Sequence, residues 1–166
     1  DPINVIDVIV PVYDGLEETR RCIDSVLNNR NATPFNLLVI DDCSPNPGIR
    51  SYLKELSEKG AIELLVNDKN IGFVRTANRG MSLHPDRDVL LLNSDTEVAN
   101  DWLDRIVKHA ESDGRIATIT PFSNNAELCS FPRYCQPNAL FLGQSVAEID
   151  AVFSSLPASQ IDIPTG

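Results

Sequence analysis

Phe35-Asn36-Leu37-Leu38-Val39-Ile40-Asp41-Asp42 is the stretch on which the reading of this chain turns. A nearly unbroken apolar run that stops abruptly at two carboxylates is the pattern of a strand buried on both faces of a parallel sheet. Upstream, residues 4–12 are rich in Val and Ile and predict a first strand, with Asp14 placed to cap a following helix. That helix carries Leu16, Thr19, Ile23, Val26 and Leu27 on one face and ends near Asn28-Asn29-Arg30.

Downstream, Ser44-Pro45-Asn46-Pro47 is a turn that opens a short helix through Leu56, and Ala61 to Val66 reads as a third strand. Gly72 to His84 reads as a helix with Phe73, Ala77 and Met81 on its inner side. Val89 to Leu92 is the fourth strand, and Asn100 caps a helix marked by Trp102, Ile106 and Ala110. Arg115 to Thr120 completes the set as a fifth strand. Beyond Pro121 the pattern dissolves for longer than an ordinary connection. A last helix follows over Gln144 to Leu156, with Val146, Ile149, Phe153 and Leu156 on one stripe, then a strand over Ile161 to Thr165. Strands alternating with helices predict an α/β fold with a mostly parallel central sheet. There is no repeat and no linker, so residues 1–166 read as a single domain.

Composition bounds what such a domain does. The 166 residues carry 14 Lys and Arg against 24 Asp and Glu, a net charge of −10. That argues against the clustered basic surface that nucleic acids require. It leaves phosphate ligands open, because metal ions and helix N-termini bind them without net basic charge. No apolar run approaches the ~20 residues of a spanning helix. The four cysteines, Cys22, Cys43, Cys129 and Cys135, match no usual zinc spacing and read as free thiols. The chain begins at Asp1 and stops at Pro164-Thr165-Gly166, which reads as a piece cut from a longer protein.

In an open parallel sheet, ligands bind beyond the carboxyl ends of the strands. The residues ending the strands here are Pro11-Val12-Tyr13-Asp14, Asp41-Asp42, Asn67-Asp68 and Asn93-Ser94-Asp95. Acidic clusters along one rim repel one another unless a cation or hydrogen-bond donors offset them. Mg²⁺ or Mn²⁺ meets that need, with oxygen ligands from one or two carboxylates and from substrate phosphates. Taken singly, each residue also has a structural reading. Asp14 can cap a helix, Asp41 or Asp42 can serve a turn, Tyr13 can cover the sheet edge, and Asp95 can cap a turn before Val98.

Several motifs resemble those of family 2 glycosyltransferases, the inverting group with the GT-A fold. They are Val8-Ile9-Val10-Pro11-Val12-Tyr13, then Val39-Ile40-Asp41-Asp42-Cys43-Ser44, then Asn70-Ile71-Gly72-Phe73 through Asn78-Arg79-Gly80, and Leu90-Leu91-Leu92-Asn93-Ser94-Asp95. Pro121-Phe122-Ser123-Asn124-Asn125 resembles the rhamnosyltransferase-like members, many of which act in bacterial polysaccharide biosynthesis. The resemblance implies a metal-dependent transferase that moves a sugar from a UDP, dTDP or GDP donor to a saccharide acceptor. It implies a cytoplasmic location, with a peripheral position at the inner face of the membrane as the alternative to a free one.

In that reading Tyr13 stacks on the nucleobase and Asp42 accepts its N–H. Asp41, or the backbone near Pro11 and Val12, closes the same pocket. Asp95 holds the ion that bridges the diphosphate, with Asn93 or Ser94 offering a neutral oxygen. A second acidic residue is missing from the fourth motif, so the ion is expected to bind weakly without the nucleotide. The general base of the family lies beyond the position of Gly166, so the acceptor side is expected to be absent and residues 1–166 inactive alone. Asn78 reads as a buried structural amide or a ligand contact, and Arg75 as a solvated helix residue ahead of a phosphate contact.

Three rivals remain open. A sugar-phosphate nucleotidyltransferase would carry a glycine-rich loop after strand one, where only Gly15 stands. A phospho-acceptor receiver domain would carry its acidic pair there, rather than after strand two. A nucleotide-binding module without catalysis is the third.

Overall fold

The computed structural model describes residues 5–126, 129–133, 135–140 and 143–156. The order is β1 (Ile6–Val12), α1 (Leu16–Asn28), β2 (Phe35–Asp41), α2 (Pro47–Glu58), β3 (Glu63–Val66), α3 (Phe73–Met81), β4 (Val89–Leu91), α4 (Trp102–Ala110) and α5 (Val146–Ser154). The chain divides into two compact units, Asp1–Gly114 and Arg115–Gly166, each described by itself.

The first unit holds a four-stranded sheet in the order β3-β2-β1-β4, and every pairing is parallel. Alternate residues of β1 serve opposite faces. Val8, Val10 and Val12 join Cys22, Ile23 and Val26 of α1, Ile49 and Leu53 of α2, and Trp102 and Leu103 of α4 in one core layer. Ile9, with Leu38 and Ile40 of β2, faces the other way toward Met81 of α3. Each such fully buried aliphatic side chain contributes roughly 1.5–3 kcal/mol. Helix α3 lies close on this second face because residue 80 is glycine. A Cβ there would stand 2.9 Å from both Ile9 and Ile40.

The connections from β1 through β3 step one way across the sheet, and β4 then returns to the far side of β1. The switch point therefore lies between β1 and β4, where such sheets open a crevice. Pro11 helps to open it. Residues 9 and 11 of a strand address the same neighbour, and proline has no N–H to extend the ladder. The pairing with β4 stops at Ile9, whose carbonyl accepts from Leu92 N at 2.9 Å.

Several sequence expectations need correction. The cap position of α1 is Gly15 rather than Asp14, whose Oδ1 instead accepts from Gly15 N at 2.8 Å. Helix α4 starts after Asp101, and Asn100 lies outside it with φ 55°. Asn46 does cap α2, accepting from Gly48 N ahead of a first-turn proline. Residues 115–120 form no strand, since their branched side chains find no ladder partner and β propensity needs one. The strand expected over Ile161 to Thr165 lies outside the described residues.

In the second unit, Asn138 knits the long loop together. Its Nδ2 donates to the carbonyls of Arg133 and Gln136 and to Ser130 Oγ, each at 3.0 Å. The Asn138 N–H donates to Asn124 O at 2.7 Å, so Asn124 is loop structure. Helix α5 opens with a capping box formed by Ser145 and Glu148. None of its residues is buried, although Phe153 meets Phe131 edge-on at 5.1 Å. Among the described residues no helix is long and apolar enough to cross a membrane.

Candidate active site

A cleft of about 240 Å³ opens at the carboxyl end of the sheet, lined by Pro11, Val12, Tyr13, Asp14, Asp42, Phe73, Thr76 and Ser94. These residues come from the ends of β1 and β2, the first turn of α3 and the turn after β4. Of the residues singled out in the sequence, Pro11, Val12, Tyr13, Asp42 and Ser94 thus share one cavity. Asp41 and Asn93 do not line it, and Asp95 is the next residue beyond Ser94.

The two adjacent aspartates face different tasks. Asp41 is buried, and its Oδ1 accepts from Ser44 N at 2.7 Å, closing the turn at Cys43. Asp42 is only 4% exposed and reaches the opposite way. Its Oδ1 accepts from Asn67 Nδ2 at 2.7 Å and Ile71 N at 2.9 Å, and its Oδ2 accepts from Gly72 N at 2.8 Å. Burial alone would raise its pKa. The Ile71 N–H, the Asn67 amide, the Gly72 N–H and the Thr76 hydroxyl outweigh burial and hold it below the usual carboxylate value. Those four donors match the roughly four lone-pair positions of a carboxylate. Asp42 therefore holds the entrance of α3 before it does anything to a ligand.

Gly72 makes that grip possible. Its φ of 83° and ψ of 162° belong to a region open essentially to glycine alone. Asn67 is oriented in turn by Arg79, whose Nη1 donates to Asn67 Oδ1 and, at 3.0 Å, to Val66 O. Sequence reasoning gave no site role to Thr76 or Phe73, and it placed Asn67 only at the end of a strand. Phe73 was expected on the inner side of the helix, yet it is 52% exposed, while Thr76, Ala77 and Gly80 are buried. The reason is position. Residues 73, 76, 77 and 80 do share a face, but Phe73 begins the helix and stands at the open cleft. Asn78, expected as a buried amide or ligand contact, is exposed.

The turn after β4 is held by one face of α1. Cys22 Sγ donates to Asn93 O at 3.4 Å, and its thiol is pushed up to about 12, chiefly by burial, so it stays protonated. Ser25 Oγ accepts from Val98 N at 3.1 Å, and Asn29 Oδ1 accepts from Asn100 N at 2.7 Å. Asn93 gives this turn its carbonyl, which also accepts from Thr96 N. Asp95 is exposed within the turn.

Among the described residues no three His, Cys, Asp or Glu side chains gather as a metal cluster. The oxygen donors on offer are the Asp95 carboxylate, the Ser94 hydroxyl and the Asn93 amide. That set does not cage an ion alone. It does fit Mg²⁺ or Mn²⁺, which accept one or two carboxylates and complete their shell from phosphate and water.

A second depression of about 330 Å³, lined by Ile6, Ala32, Thr33, Pro34, Val107 and Glu111, lies away from these side chains, at the amino ends of β1 and β2.

Comparison with known proteins bears on the fold. The solved structure of S. aureus TarS 1-349 in complex with UDP matches with a TM-score of 0.54 and 19% identity. The match covers 74% of this chain and 41% of that one. A second TarS structure matches with a TM-score of 0.54 and 18% identity, covering 74% of this chain and 25% of that one. The parallel α/β architecture is thus of the GT-A type expected from the motifs. An uncharacterized glycosyltransferase of Haemophilus influenzae is 24% identical over 116 residues, 69% of this chain and 35% of its own length. Glycosyltransferase GlyA of Streptococcus pneumoniae is 27% identical over 103 residues, 62% of this chain and 14% of its own length. Glycosyltransferase AglE of Haloferax volcanii is 24% identical over 111 residues, 66% of this chain and 36% of its own length. The chain thus spans little more than a third of these relatives at most. The family model for glycosyl transferase family 2 matches residues 7–139, from β1 through every residue that lines the cleft. The chain belongs to glycosyl transferase family 2.

Proposed function

We propose that residues 1–166 form the donor-binding domain of a metal-dependent, inverting glycosyltransferase. Its substrate is a nucleoside diphosphate sugar, and its acceptor is a saccharide of a polysaccharide or lipid-linked kind. The supporting observation is one cleft at the switch point of a parallel sheet that gathers Tyr13, Asp42 and Ser94, with Asp95 exposed beside it. The reading also draws on the TarS structure solved with UDP, a protein of like fold.

Tyr13, 47% exposed at the end of β1, offers its ring to a nucleobase. Pro11 and Val12 supply the rigid backbone beneath it. Asp42 accepts the base N–H in place of the Thr76 hydroxyl, which rotates away, while its other acceptor sites keep α3 in place. That preference fits uracil, thymine or guanine, each of which carries a ring N–H. Asp95 is the ligand for Mg²⁺ or Mn²⁺, with Ser94 and Asn93 alongside. When bound, such an ion offsets the charge that develops on the departing diphosphate, which helps most in the transition state. Asp41 contributes by closing the turn that carries Asp42. No carboxylate here is assigned as the general base. The reading includes a cytoplasmic site of action at the inner membrane surface, where acceptors of this class lie.

Calorimetric titration with UDP, dTDP and GDP, each with and without Mn²⁺, tests the proposal. One of them should bind at least about tenfold more tightly with the metal, a difference of ~1.4 kcal/mol. Asp95→Ala should abolish that gain. Equal affinities with and without Mn²⁺ would remove the metal from the reading.

A further inference from the structure

We infer that Phe73 is a second aromatic contact for the nucleobase, paired with Tyr13, and that it sets affinity for the base rather than for the phosphates. This rests on the donor-binding reading above. The two rings line one cleft, and both are about half exposed, Tyr13 at 47% and Phe73 at 52%. Among the described residues neither takes part in a ring–ring contact, so their π faces are not spent on each other.

Phe73 belongs to neither layer of the core. Its helix covers the sheet with Thr76, Ala77 and Gly80, and Gly80 lies directly against Ile9 and Ile40. Helical side chains lean toward the N-terminus. The first residue of α3 therefore leans toward the carboxyl end of the sheet, where it lines the cleft with Pro11, Val12 and Tyr13. An aromatic ring left half in water is unfavourable on its own account, and a stacked heterocycle would relieve that exposure.

The backbone that carries the ring is also held before any ligand arrives. The two peptide groups that precede it, Ile71 N–H and Gly72 N–H, both donate to Asp42. Asp42 is itself held by Asn67, and Asn67 by Arg79. A residue fixed in this way loses little freedom on binding, so more of its contact energy appears as affinity. The same carboxylate thus lines the cleft and anchors the strip of chain that carries the ring. A planar base satisfies the aromatic residues and the carboxylate together, whereas a phosphate would meet an anion at Asp42 and apolar rings beside it. Stacking tolerates any base, so Phe73 raises affinity without choosing among uracil, thymine and guanine.

The test compares two ligands in the full chain with Mn²⁺ present: the tightest of UDP, dTDP and GDP, and inorganic pyrophosphate. Phe73→Ala should weaken the nucleotide roughly five- to 150-fold, the span measured for one base–aromatic stack. Pyrophosphate should stay within about twofold. Phe73→Tyr should restore nucleotide binding, and Phe73→Leu, which keeps apolar bulk without a π face, should not. Thermal melting of each variant checks the fold, and Phe73→Leu carries the test if the alanine protein melts early. Unchanged nucleotide affinity in Phe73→Ala overturns the inference, as does an equal loss for pyrophosphate. If the unaltered chain binds none of the three diphosphates, the donor-binding reading falls and this inference falls with it. If the unaltered chain binds and Phe73→Ala binds equally well, only the role of Phe73 falls.

Discussion

Two buried aspartates stand at opposite ends of the same sheet, and they are stabilised in opposite ways. Asp7, near the start of β1, is 1% exposed and meets the Arg87 guanidinium, with Nη1 at 2.9 Å, and the His84 ring, with Nδ1 at 2.7 Å. Asn36 Nδ2 adds a third contact at 3.3 Å. Asp42, just past the end of β2, is held by the amide and backbone N–H groups of its neighbours, all neutral. In both cases burial works to raise the pKa and the donors overcome it. The difference lies in what is left over. Asp7 has its charge cancelled within the fold, which is how a structural carboxylate is satisfied. Asp42 keeps its charge beside a cleft with no cation in hydrogen-bonding reach among the described residues, a state that suits a site awaiting a ligand.

The sharpest way to break this contrast is Asp42→Asn. An amide offers fewer acceptor positions, so at least one of the Ile71 and Gly72 N–H groups loses its partner, at a cost of about 2–3 kcal/mol. Nucleotide affinity should fall in the same variant, because the strip that carries Phe73 is released. Urea unfolding and calorimetry read the two effects, and a stable protein with full affinity would show that Asp42 organises nothing. Arg87→Leu is the matching change at the other end. It leaves Asp7 buried with His84 as its remaining ionisable partner and should cost about 2 kcal/mol. That is less than a fully enclosed pair would lose, because the Arg87 side chain is 34% exposed. Nucleotide affinity should not change. A parallel loss of affinity would mean that the two ends are coupled and the division of roles fails.

The smallest effect is on the acid side of the stability profile. Both carboxylates have folded pKa values below the ordinary ~3.9 of aspartate. Their contribution is complete above that value and disappears as pH falls through the depressed folded values. Asp7→Asn should therefore flatten the loss of stability below about pH 4 in an acid titration followed by circular dichroism. A profile identical to that of the unaltered protein would show that Asp7 titrates alike folded and unfolded.

How far the chain could be read ahead of its structure depended on the range of the interaction. The strands β1, β2 and β4, the helices between them, and the strand-end positions of Tyr13, Asp42 and Asp95 follow from patterns within a dozen residues. Local pattern failed where a partner from elsewhere was needed. Residues 115–120 have strand-like side chains and no ladder, and Asn100 resembles a cap yet lies outside its helix. Phe73 shows this most plainly. Its spacing from Ala77 puts it on the inner face, yet the folded sheet leaves it half exposed at the cleft.

From residue order alone came the alternation of strand and helix, the acidic rim and the family-like motifs, because hydrophobic period and turn chemistry act over short stretches of chain. Tertiary structure alone decided which of two adjacent aspartates faces the cleft, and that Asn67, Arg79 and Thr76 orient it. It also decided that Cys22, Ser25 and Asn29 hold the turn of Asp95 from a helix some seventy residues away. Those contacts join elements far apart in sequence, and their geometry exists only once the parallel sheet has set the register between its strands.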